Sequence, residues 1–130
     1  MTSKKLLKFY FGAQRLNDAM DELLLRAACA SATGGDAELC ARQLGELIGC
    51  KCRLAELWSY LDGVMRRFGC GDRQVLLDYS RMRCGLSKLS ADRKNEVRRV
   101  VVRFMRGARS LGRYAEALAV LNKYFVLTGR

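Results

Sequence analysis

The longest patterned stretch of the chain is residues 37–68, AELCARQLGELIGCKCRLAELWSYLDGVMRRF. Apolar residues recur in it at alternating steps of three and four, which places them on one face of an α-helix. This face has ten members, of which only Lys51 is polar: Ala37, Cys40, Leu44, Leu47, Lys51, Leu54, Trp58, Leu61, Met65 and Phe68. The pattern predicts one long helix from about Ala37 to Phe68.

A similar stripe precedes it and predicts a first helix from about Ser3 to Ala32. Its members are Phe9, Ala13, Leu16, Met20, Leu23, Ala27 and Ala30. Between the two helices, Gly34 and Gly35 suit a left-handed C-terminal cap and Asp36 suits an N-cap. Residues 1–70 are therefore expected to form an antiparallel, coiled-coil-like helical hairpin. The stripes could instead pair with a second copy or another protein, but pairing within the chain is favoured because they are adjacent in sequence.

The rest of the chain is also helical in pattern, so the expected fold is all-α: the long hairpin, then a small basic helical bundle over residues 71–130. Asp72 is expected to cap a third helix that Gly85 ends. A fourth helix is expected from Ala91 to about Ser110, with Ser87 and Ser90 as candidate caps, and a last one over Tyr114–Leu127. The one strand-like stretch of this half is Val100-Val101-Val102, and it lies within a helical pattern.

Charge is distributed unevenly along the chain. The 24 Lys and Arg exceed the 13 Asp and Glu, which gives a formal net charge of +11. Residues 1–70 carry 10 basic against 8 acidic side chains, whereas residues 71–130 carry 14 against 5. A strongly basic half of this kind is typical of proteins whose partner is acidic, most often nucleic acid.

Arginines collect on one side of the fourth helix, opposite its apolar residues. Six of them lie within an arc of about 140° at 100° per residue: Arg98, Arg99, Arg103, Arg106, Arg109 and, if the helix continues, Arg113. Guanidinium groups bind phosphates in bidentate fashion, so these six are the candidate nucleic-acid-binding residues. Two alternatives stay open, namely an acidic protein partner and a solvated face whose arginine stems cover apolar surface. No acid follows Glu96 in this helix, so local neutralisation is not expected.

Other chemistry has little support in the sequence. The chain has no histidine, which excludes Ser-His, Cys-His and His-metal mechanisms, and it has no Gly-rich phosphate loop. Lys51 between Cys50 and Cys52 could lower the pKa of a thiol, but no histidine base accompanies it. The spacing of the six cysteines fits no zinc knuckle. We therefore expect no enzymatic activity, no metal and no cofactor.

The compartment is inferred from the N-terminus and from hydropathy. Lys8 interrupts the apolar run of MTSKKLLKFYFGAQ, and no small-residue cleavage site follows, so this stretch is a poor signal peptide. No window approaches 18 uncharged apolar residues, so no membrane span is expected. The expectation is a cytoplasmic protein with reduced cysteines.

One resemblance adds to this interpretation. The residues that carry it are GDRQVLLDY at 71–79, GLSKL at 85–89 and the basic helix of residues 97–109 with ARSL at 108–111. In these, and in its hairpin-first layout, the chain resembles small phage-type transcriptional regulators with a helix-turn-helix similar to region four of bacterial sigma factors. The resemblance implies transcription regulation through DNA binding. The stretch between Leu89 and Val97 lacks the turn glycine of that family, so the helix-turn-helix would be a degenerate one.

Together these observations predict a nucleic-acid-binding protein, with duplex DNA as the partner and regulation as the role. The alternative is a non-catalytic helical adaptor that docks on an acidic protein surface. The two differ in salt dependence, because phosphate binding weakens steeply as salt rises whereas apolar contacts persist.

Overall fold

The computed structural model describes residues 2–32, 34, 36–82 and 86–127, and within them all regular structure is helical. The helices are α1 (Thr2–Phe11), α2 (Ala13–Ala32), α3 (Ala37–Met65), α4 (Cys70–Arg81), α5 (Ala91–Arg109) and α6 (Tyr114–Leu127). A 3-10 turn at Leu86–Lys88 precedes α5. The expected all-α class is confirmed, and none of the described helices is long and apolar enough to cross a membrane.

Two of the predicted helix signals act as expected. Gly34 adopts a φ of +91°, the left-handed conformation that follows many helix ends. The Asp36 carboxylate accepts hydrogen bonds from the backbone N–H groups of Glu38 at 3.0 Å and Leu39 at 3.2 Å, so it is the N-cap of α3. Gly35, also expected in this cap, lies outside the described residues.

The predicted first helix is two helices, because the chain breaks at Gly12. The backbone N–H of Gly12 donates to the Lys8 carbonyl at 2.9 Å, and a Cβ at position 12 would lie 2.9 Å from that oxygen. Any other residue here would collide with the preceding turn. The stripe that runs through residues 3–32 in sequence is therefore shared between α1 and α2.

The chain forms two compact units, and their boundaries differ from the predicted division at residue 70. The α5 unit comprises residues 1–12 and 58–114, and the hairpin unit comprises residues 13–57 and 115–130. The N-terminal helix α1 thus belongs with α4 and α5 because its apolar residues, Leu6, Leu7 and Phe9, are buried there. The C-terminal residues of α3 from Trp58 onward belong to the same unit.

The hairpin unit contains α2, the first part of α3 and α6. Leu16 and Met20 of α2 and Leu54 of α3 are buried, as the stripes predict. Lys51 forms an ion pair with Asp21, and these residues stand 15 positions on either side of Asp36. This register is that of an antiparallel pair, and it accounts for the one polar residue on the α3 stripe.

In the α5 unit, α1 packs on α4 and its end is held by α3. The Tyr10 and Trp58 rings stack at 5.5 Å between centroids, and the Trp58 indole N–H donates to the Tyr10 carbonyl at 3.1 Å. The Tyr10 hydroxyl donates to the Asp62 carboxylate at 2.7 Å. Desolvation by burial, followed by this hydrogen bond, raises the pKa of Tyr10 to about 12.

Candidate nucleic-acid interface

Helix α5 packs against the rest of its unit through one apolar face, and a side chain caps its N-terminus. The Ser90 hydroxyl accepts from the backbone N–H of Arg93 at 3.3 Å, so Ser90 is the N-cap and Ser87 is not. The buried residues share one side of the helix, as the sequence predicts: Val97, Val100, Phe104, Met105 and Ala108. Helical periodicity consequently turns residues 98, 99, 102, 106 and 109 toward solvent.

Four of the six predicted arginines form an exposed cationic face on α5. Arg98, Arg99, Arg106 and Arg109 are exposed, and no carboxylate of the described residues pairs with any of them. Arg113 is also exposed but lies after the end of α5, in the turn before α6. We call Arg98, Arg99, Arg106 and Arg109 the arginine face.

Arg103, the remaining predicted residue, has partners of its own. Its guanidinium group lies 3.2 Å from the Asp72 carboxylate and 4.3 Å from the centroid of the Phe68 ring. The expectation that no acid neutralises this side of α5 is thus wrong at Arg103, because the acid comes from α4. Asp72 also does not cap α4: the N-cap is Gly69, and no side chain caps the helix.

One of the two acidic residues near the start of α5 forms an ion pair with an arginine of the same helix. Arg93 lies 2.9 Å from Glu96 and 3.8 Å from Asp78 of α4. Glu96 is therefore paired with Arg93 and does not neutralise the arginine face. The contact between Arg93 and Asp78 links α5 to α4. Asp92 is exposed in the first turn, where a carboxylate interacts favourably with the helix dipole.

Gly107 sets the position of the C-terminal half of α5. A Cβ on Gly107 would lie 2.7 Å from the Val64 Cγ1 atom, so the absence of a side chain lets α5 approach α3 closely. The Tyr60 hydroxyl donates to the Gly107 carbonyl at 3.0 Å and lies 2.7 Å from the Ser110 hydroxyl. Local sequence does not reveal this role, since nothing near Gly107 in the chain identifies Val64 as its neighbour.

The excess charge of the protein is confined to the α5 unit. Its residues include 17 Lys and Arg against 5 Asp and Glu, whereas those of the hairpin unit include 7 against 8. The separation is sharper than the one between sequence halves, because α1 brings Lys4, Lys5 and Lys8 into the α5 unit. A positive field of this size attracts polyanions.

The connection from α4 to α5 bears on the helix-turn-helix resemblance. Met82 is the C-cap of α4, and the described part of the connection contains the 3-10 turn Leu86–Lys88 rather than an α-helix. Residues 83–85, which include the expected helix end at Gly85, lie outside the described part. α4 and α5 nevertheless pack against each other.

No other site emerges from the described residues. Cys29, Cys40, Cys50, Cys52 and Cys70 are free thiols, and no group of three or more possible ligands there could hold a metal ion. Cys84 lies outside the described residues. Burial raises the pKa of Cys50, and Lys51 pairs with Asp21, so the suggested lowering of a thiol pKa is wrong for Cys50.

Comparisons of the chain with protein-family models, with curated proteins and with solved structures found no match. The features of the protein that bear on its function are the arginine face and the charge of the α5 unit.

Proposed function

We propose that the protein binds nucleic acid through the arginine face of α5, with duplex DNA as the partner and transcription regulation as the role. The observation that carries the proposal is the set of four exposed arginines without carboxylate partners on one helix of a strongly basic unit. Phosphates are spaced densely enough along a duplex for several such side chains to bind at once. Arg113 extends the same surface at its edge.

Arg103 has a different role in this proposal. Its contacts with Asp72 and Phe68 hold α5 on α4, so it supports the surface that the neighbouring arginines present. We expect its loss to affect stability more than the number of phosphate contacts. A cytoplasmic location fits the free thiols of the five described cysteines.

The test is a fluorescence-anisotropy titration of a labelled random-sequence duplex at several salt concentrations. Three to four phosphate contacts predict that log K falls against log salt with a slope of about −2.7 to −3.6. A variant with Arg98, Arg99 and Arg109 changed to Gln should bind more weakly and show a slope smaller by about three units. Absence of duplex binding by the unaltered protein at low salt would refute the proposal.

A matched control variant distinguishes binding through the arginine face from binding that depends only on the net charge of the protein. Arg15, Arg42 and Arg53 are exposed residues of the hairpin unit, and changing them to Gln removes the same three charges. The proposal expects this control variant to keep the slope and nearly all of the affinity. An equal loss in both variants would show that net charge alone drives binding.

A second candidate function is a helical adaptor for an acidic protein. It is favoured by large apolar side chains that the hairpin unit exposes, Leu25 at 65% and Ile48 at 53%. Contacts through such residues persist at high salt, whereas phosphate contacts do not. A partner protein that stays bound at 0.5 M salt and is released by Ile48→Glu would favour this candidate.

A further inference from the structure

The exposed side of α5 contains uncharged residues as well as arginines. Asn95 and Val102 are both exposed, and the exposed fraction of Val102 is 55%. The Asn95 side chain makes no hydrogen bond to any described residue. Neither side chain carries a positive charge, so neither adds to the electrostatic attraction for phosphates, and Val102 cannot bind them at all.

Their angular position separates the exposed side into a centre and two edges. At 100° per residue, Asn95, Val102 and Arg106 lie within about 40° of one another along the middle of the exposed arc. Arg98 lies about 60° to one side of that middle line, and Arg99 lies about 40° to the other. A single exposed valine would mean little on a protein surface, but this one lies on the line with Asn95 and Arg106.

The arrangement matches the demands of the DNA major groove. The groove is about 12 Å wide and admits an α-helix, whose middle line then faces the base edges while its flanks face the two phosphate backbones. Asparagine pairs with the N6 and N7 positions of adenine, arginine pairs with guanine, and an aliphatic side chain contacts the methyl group of thymine. The middle line of α5 presents one side chain of each kind.

We infer that α5 reads base edges in the major groove of duplex DNA through Asn95, Val102 and Arg106, while Arg98 and Arg99 bind the flanking phosphates. The inference rests on the proposed function and goes beyond it, because it assigns sequence specificity to two uncharged residues. The three readers span about 16 Å of helix, which is roughly the length of five base pairs.

The experiment selects a preferred duplex from a pool with a randomised centre and then measures anisotropy on that duplex and on a scrambled one. Asn95→Ala and Val102→Ala should each weaken binding to the selected duplex, by about 5- to 150-fold for Asn95→Ala. Both should leave the scrambled duplex and the salt slope unchanged. The matched control Arg98→Gln should weaken both duplexes equally and lower the slope by about one unit.

The outcomes distinguish the inference from the function on which it rests. Duplex binding with no preferred sequence, or a preference that both alanine variants keep, overturns base reading and leaves nucleic-acid binding intact. Equal affinity for duplex RNA of the same sequence also overturns it, because the major groove of A-form RNA is too narrow for side chains to read. Failure to bind any duplex at low salt removes both proposals. Circular dichroism of each variant verifies that the exposed substitutions leave the helices folded.

Discussion

Replacing Gly107 by alanine should destabilise the protein, although alanine is the better helix former. The new methyl group would lie 2.7 Å from the Val64 Cγ1 atom, well inside van der Waals contact. Val64 is β-branched and strongly prefers one rotamer in a helix, so it cannot rotate away cheaply. Overpacking of this kind lowers the free energy of unfolding by about 1–3 kcal/mol, and the higher helix propensity of alanine offsets about 1 kcal/mol of that loss. The net loss of unfolding free energy is therefore about 0–2 kcal/mol.

Gly63 provides the matched control, because a Cβ there would meet no atom within 4 Å. Gly63→Ala should raise the unfolding free energy by up to about 1 kcal/mol, so the two substitutions should differ by about 1–3 kcal/mol. Urea unfolding followed by the fluorescence of Trp58, the one tryptophan in the chain, measures both. In a Val64→Ala background the Gly107 substitution should become neutral or stabilising. Equal stabilisation by both substitutions in the unaltered background would refute the close approach of α5 to α3.

Three further predictions concern the contacts around α5 and α1. Trp58→Ala should lower the unfolding free energy by about 3 kcal/mol, measured by circular dichroism in urea, since it removes the stack on Tyr10. The pKa of Tyr10 is raised in the folded state, so its contribution to stability is present below pH 10 and is lost as the pH rises toward about 12. Tyr10→Phe should flatten that part of the stability profile, and an unchanged profile would contradict the assignment. A double-mutant cycle of Arg103→Gln and Asp72→Asn should give a coupling of about 0.5–1 kcal/mol because both groups are partly exposed, and a coupling of zero would show that the pair adds nothing.

The sequence predicted those parts of the fold that local signals determine. The bounds of α6 agree with the prediction, and α5 ends one residue before the predicted Ser110. Ser90 caps α5 and Asp36 caps α3 because each offers an oxygen to backbone N–H groups two or three residues ahead. Helical periodicity likewise places Arg98, Arg99, Arg106 and Arg109 on the exposed side, since it depends only on spacing.

The sequence could not predict what depends on residues that are distant in the chain. The stripe of residues 3–32 does not show that the helix is interrupted at Gly12 or that α1 packs on α4. The partner of Arg103 is Asp72, which lies 31 residues away, and the neighbour of Gly107 is Val64, which lies on another helix. The candidate site therefore differs from the prediction in one respect, because the guanidinium group of Arg103 is paired with a carboxylate.

The most direct test of nucleic-acid binding by α5 is the salt slope of duplex affinity in two triple variants of equal charge. Changing Arg98, Arg99 and Arg109 to Gln should reduce the slope by about three units, whereas changing Arg15, Arg42 and Arg53 to Gln should leave it unchanged. Arg103 stays in place in both, so the contact with Asp72 is preserved and the fold remains comparable. A folded α5 variant that retains the full slope and affinity would contradict the account.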